Sequence, residues 1–116
     1  EAHVPRYICK LTDPSDGAEV YFDWSTIVDA PVTHGMTRPE FIAYYEEEYG
    51  AEGMRGLEDR LARVDKTGTS SRMNESIEEL TCNNAAGPDG RHATLEEILA
   101  FVTMKRRRLE ALRGAK

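Results

Sequence analysis

The chain has 116 residues, 40% of them apolar and 31% charged, with a net charge of −6; this describes one globular domain able to hold a core without metal or disulfide staples. Its apolar runs stay well short of the roughly 18 residues needed to cross a bilayer, its opening residues carry no basic-then-apolar leader pattern, and two cysteines are too few for a disulfide framework. A cytoplasmic protein is therefore expected. Free buried thiols are the simpler reading of Cys9 and Cys82, and the sequence leaves a bridge between them open.

In chain order, residues 1 to 5 read as loose. Tyr7–Thr12 and Glu19–Val28 read as two strands joined at Pro14-Ser15-Asp16-Gly17, a turn with Pro early and a Gly free to adopt positive φ. The second strand alternates, with Val20, Phe22, Trp24, Thr26 and Val28 on one face and Glu19, Tyr21, Asp23 and Ser25 on the other. Closing the turn with Asp13 opposite Ala18 sets Leu11 against Val20, Cys9 against Phe22 and Tyr7 against Trp24, so one hairpin face is apolar throughout. Pro31, which has no N–H to donate, ends the strand.

Thr37-Arg38-Pro39-Glu40 then has capping-box spacing. It opens a helix that runs to about Tyr49 and stops at Gly50, a natural C-terminal glycine. Phe41, Ile42, Tyr45 and Tyr49 form its inner stripe, and Glu46, Glu47 and Glu48 a wet acidic side. Because an isolated hairpin is marginal in water, its apolar face is expected to press on this helix. Further helices are expected at 54–65, carrying Leu57, Leu61 and Val64, and at 75–83, carrying Ile77 and Leu80. Thr94-Leu95-Glu96-Glu97 is a second capping box, opening a last helix to about Arg113. The fold class that follows is α+β: an N-terminal antiparallel hairpin packed against three to four helices. Residues 1–103 make the domain, and 104–116 the basic end of the last helix, free to project.

Motifs that suggest chemistry have structural readings that fit them better. Asp65-Lys66-Thr67-Gly68-Thr69 matches the aspartyl-phosphate signature of P-type ion pumps, where the Asp is a nucleophile. Here it follows a helical pattern instead of an apolar strand, and reads as a helix end turning at Gly68. Gly50, Gly53 and Gly56 lack the strand and the G-K-[ST] of a phosphate loop, and read as an inter-helix connection. His3, His34 and His92 have no ligand spacing, so no metal is expected. No nucleophile elbow is present either, and no cofactor or catalytic residue is assigned.

Charge is unevenly placed. Residues 103–116 hold six cations against Glu110 alone, a net of +5, which leaves −11 on the rest. Lys105, Arg106, Arg107 and Arg108 suggest a nucleic-acid contact, but they wrap around a helix and an acidic body repels a polyanion. The favoured expectation is a non-enzymatic binding protein acting by protein–protein interaction. Its contacts are Tyr44, Glu47 and Glu48 on one helix and Leu109 and Leu112 on the last, which also offers a homodimer seam. Nucleic-acid binding through Lys105–Arg108 is the alternative.

The stretch Trp24-Ser25-Thr26-Ile27-Val28-Asp29-Ala30-Pro31-Val32-Thr33, continuing to Gly35-Met36-Thr37, resembles small uncharacterised proteins encoded by bacteriophages of actinobacteria. Phe41 to Gly50, Leu61-Ala62-Arg63-Val64, Thr67-Gly68-Thr69-Ser70, and Ala86-Gly87-Pro88 before Thr94–Ile98 fit the same resemblance. It spans most of residues 20 to 100 and leaves the basic tail outside. It implies only a phage setting and expression in a bacterial cell, and carries over no site; the partner expected of the binding protein is a host or phage protein.

Overall fold

The structure, a computed structural model, describes residues 6–71, 76–82, 84–87 and 90–114. Residues 1–5 lie outside that set, as do Glu75 and Asn83, the expected ends of the third helix. Strands β1 (Arg6–Thr12), β2 (Glu19–Ser25) and β3 (Ala30–Pro31) form an antiparallel sheet in sequence order, and helices α1 (Arg38–Met54), α2 (Leu57–Thr67), α3 (Ile77–Leu80) and α4 (Leu95–Gly114) pack around it. The class is α+β, as the sequence implies.

The hairpin has the register that its turn dictates: Leu11 pairs with Val20, Cys9 with Phe22 and Tyr7 with Trp24. Asp13 holds the turn, its carboxylate accepting from the Ser15 N–H (2.9 Å) and hydroxyl (2.7 Å), and Gly17 supplies the positive φ of +74°. The second strand is shorter than expected. The Ser25 hydroxyl oxygen accepts from the N–H groups of Ile27 (3.2 Å) and Val28 (3.4 Å), a local turn that competes with the ladder and wins. The chain reverses through Asp29 at φ +53°, and Ala30–Pro31 returns as the third strand, against Ser25 and Trp24. Pro31 thus sits on a short edge strand instead of ending β2. Ile27 and Val28 are left 75% and 54% exposed at the tip, Val28 outside the apolar face that alternation assigns to it.

The covering of the sheet departs further from expectation. Its apolar face, with Cys9, Phe22 and Trp24, is closed by α3 and α4 through Ile77, Ile98 and Val102. The tyrosine-bearing α1, with α2, covers the opposite face, where Ile8 and Tyr21 meet Phe41, Tyr45, Leu57, Leu61 and Val64. Both faces are buried. Tyr21, Asp23 and Ser25, on the polar face by alternation, are 1%, 1% and 6% exposed. Short segments extend both edges of the hairpin by main-chain bonds. Lys10 N donates to Gly68 O (2.9 Å) and Ser70 N to Ile8 O (3.0 Å) on one side, and Tyr21 and Met36 exchange bonds of 2.8 Å on the other. Backbone pairing, not a long third strand, therefore completes the sheet.

The helix boundaries follow their caps. Thr37 and Glu40 form the full capping box of α1, Ser76 and Glu79 that of α3, and Thr94 and Glu97 exchange the same pair of bonds before α4. Gly50, at φ +67°, breaks α1 where a stop was expected, and a further turn continues to Met54. The Asp65–Thr69 motif is a helix end: Gly68 at φ +97° closes α2 with its N–H on Val64 O (2.8 Å). Asp65 is bound by Arg38 (2.9 Å) and Lys10 (3.6 Å). Cys9 is buried and Cys82 exposed, both as free thiols, so the buried reading holds for Cys9 alone.

If β2 ends at Ser25, Phe22→Ala should cost about 3–5 kcal/mol of unfolding free energy, whereas Ile27→Ser should stay within about 0.5 kcal/mol. Urea titrations of the two variants check this.

Candidate functional site

Two hollows flank α1, and one buried carboxylate stands between them. Asp23 lies in the middle of the central strand, on the face that α1 covers, with its side chain 2% exposed. Its Oδ2 accepts from the Tyr44 hydroxyl (3.0 Å) and the Tyr49 hydroxyl (2.6 Å). Arg6 Nη1 stands 3.9 Å from the same oxygen and donates to the Tyr49 hydroxyl oxygen (3.3 Å). Burial raises the Asp23 pKa, and the two phenol donors and Arg6 oppose that shift. The phenols respond in kind. Burial and then the hydrogen bond to Asp23 push Tyr49 up to about 12, and burial with the Asp23 charge raises Tyr44 further.

On one side of this network α1 faces α4 across a groove of about 350 Å³. Tyr44, Glu47 and Leu109 line it together with Met36, His34 and Arg113. An ion pair closes one part of the groove. Arg106 binds both carboxylate oxygens of Glu40 and donates to Glu110 Oε2 (3.1 Å) and the Gly35 carbonyl (3.3 Å). Arg106 and the capping-box hydrogen bond from Thr37 hold Glu40 down at about 2. His34, partly buried beside Arg106, has its pKa lowered, first by burial and then by that cation.

The structure thus brings three of the five expected contact residues, Tyr44, Glu47 and Leu109, to one surface. Tyr44 is half-buried and its hydroxyl is engaged by Asp23, so it does not offer the groove a free phenol. Glu48 and Leu112 are exposed and lie outside the groove lining, Leu112 at 64%. The four consecutive cations divide: Arg106 is committed to Glu40, Lys105 lies over the Phe101 ring (5.0 Å), and Arg107 and Arg108 are exposed.

On the other side of the network, a cleft of about 460 Å³ opens where α1 meets α2. Arg6, Asp23, Tyr45, Tyr49, Arg60 and Ser70 line it, and Gly53 and Gly56 form part of its wall. The glycine spacing that reads as a connection is one, and it is also this wall. A Cβ on Gly53 would stand 2.3 Å from Tyr49 Cβ, so only glycine lets the turn after Gly50 pack against that tyrosine. Alternation hid this cleft, because it assigns Asp23 and Ser25 to a wet face. The available signal was a carboxylate set within Tyr21-Phe22-Asp23-Trp24, too aromatic a run for a solvated edge.

No known family matches this chain, and neither the curated proteins nor the solved structures compared with it show a significant match.

Removing one phenol donor leaves a buried carboxylate short of a partner, so Tyr49→Phe should lose about 1–3 kcal/mol in denaturant unfolding. A depressed folded-state pKa means that Glu40 contributes stability above its ordinary value of 4.5, lost as pH falls toward about 2. The pair is partly exposed, so the effect is about 1 kcal/mol or less. Unfolding curves should show Glu40→Gln less stable than the parent at neutral pH, with the gap closing as acid is added.

Proposed function

We propose that this chain is a non-enzymatic binding protein that docks another protein along the α1–α4 groove. The observation that carries the reading is the convergence of Tyr44, Glu47 and Leu109, from helices far apart in sequence, on one hollow beside the exposed Leu112. Met36, Ala43 and Leu109 supply apolar lining, while Glu47, Glu110 and Arg113 supply charges and His34 a neutral imidazole. That arrangement suits the apolar stripe of an amphipathic helix. Binding in place of catalysis also fits the carboxylates at the neighbouring cleft: Asp23 is held by two phenols and Glu52 pairs with Arg55 (3.0 Å).

The resemblance to phage proteins favours a host or phage protein as the partner, met in the bacterial cytoplasm. Among the described residues no helix is long and apolar enough to cross a membrane. A second copy of the chain is the other occupant that suits the same surface, since the outer end of α4 carries Leu112. Nucleic acid fits less well, because Arg106 already has two carboxylate partners.

Glu47→Arg combined with Leu109→Glu should abolish capture of a bacterial partner by the immobilised protein while leaving thermal unfolding close to the parent. Identical captures from both proteins would overturn the reading. A parent dimer in light scattering that the double substitution converts to monomer would identify the second copy as occupant.

A further inference from the structure

We propose that the cleft between α1 and α2 is a separate binding site for a small molecule carrying an oxyanion, a carboxylate or a phosphate, with Arg60 and Arg6 as the groups that receive it. At about 460 Å³ the hollow has the size of a small-ligand pocket. Its charges are unevenly satisfied. Glu52 is taken by Arg55 (3.0 Å), and Asp23 Oδ2 by the phenols of Tyr44 and Tyr49. Arg6 stands off from Asp23 at 3.9 Å and gives its hydrogen bond to the Tyr49 hydroxyl oxygen (3.3 Å). Arg60, partly buried in the same wall, has no carboxylate partner among the described residues.

The cleft is thus lined by two guanidinium groups and two carboxylates, and both carboxylates already have partners, Glu52 in Arg55 outside the lining and Asp23 in the phenols. This happens in a chain with 21 acidic residues against 15 Lys and Arg. Carboxylates are abundant, yet among the described residues none pairs with Arg60. Guanidinium is the side chain whose planar fork grips a carboxylate or phosphate through two parallel bonds. Gly56 leaves room for it, since a Cβ there would come within 3.3 Å of Arg60 Nη1. The tilted rings of Tyr45 and Tyr49, 4.4 Å between centroids, give the body of the ligand aromatic surface to lie against. Asp23, which also lines the hollow, has its outward-acting charge partly met by the hydrogen bonds from Tyr44 and Tyr49.

Amide NMR titration with sodium phosphate and with sodium benzoate, at ionic strength matched by sodium chloride, tests this. The expected result is saturable shifts at Gly53, Gly56, Arg60 and Ser70 with at least one of the two anions. Binding should weaken ~10-fold or more in Arg60→Gln, the loss of a charge-assisted contact, and recover in part in Arg60→Lys. Saturation by phosphate alone marks a phosphate-bearing ligand, by benzoate alone a carboxylate. Shifts that stay linear in both anions, or that are equal in the parent and a folded Arg60→Gln, would overturn the proposal. Arg6→Gln gives the same reading from the other cation.

Discussion

The seating of α1 on the sheet depends on a carboxylate buried in the middle of β2. Asp23 is as inaccessible as the aromatic residues beside it, and burying a charge in that way is costly unless donors surround it. Tyr44 and Tyr49 supply those donors from one helix, on either side of its buried stripe. The bonds fix both the height and the rotation of α1, because both phenols must reach one oxygen. Everything around the helix inherits that placement: Phe41 and Tyr45 meet Tyr21 and Ile8, Tyr44 lines the α4 side, and Tyr49 lines the α2 side.

A sheet buried on both faces explains how so short a hairpin is stable. Two strands alone leave one face wet and are marginal. Here each face has its own core, one closed by α1 and α2 and the other by α3 and α4. Main-chain segments at Gly68–Ser70 and at Met36 satisfy the two outer edges, so few peptide groups are left seeking partners. The two helical layers also touch each other at the margin of the sheet, where the Arg106–Glu40 clasp and the Gly35–Val102 bond join α4 to the start of α1. The groove lies along that seam.

The uneven charge of the chain takes a different meaning in three dimensions. The basic segment reads as a tail separate from an acidic body. Its Arg106 instead reaches back to that body and neutralises the residue that caps α1, so the opposite signs act as a fastening. Arginine on the α2 side is spent differently: Arg63 donates to the Ser70 carbonyl (2.9 Å), while Arg60 is left facing a hollow.

Local rules determined much of this protein from its sequence alone. The Asp13–Ala18 turn set the hairpin register, the Thr37–Glu40 and Thr94–Glu97 pairs set the starts of α1 and α4, and Gly50 and Gly68 set where helical backbone breaks. Each of these depends on residues within a few positions of one another, so the chain carries the information without its fold. Tertiary structure decided which helices cover which face, that Asp23 is buried, that the strand yields to the Ser25 turn, and that the glycine connection borders a cleft. Those outcomes turn on competition between distant groups for the same volume. Two phenols from α1 outweigh water for Asp23, and the apolar face goes to α4 because α1 is already held on the other side.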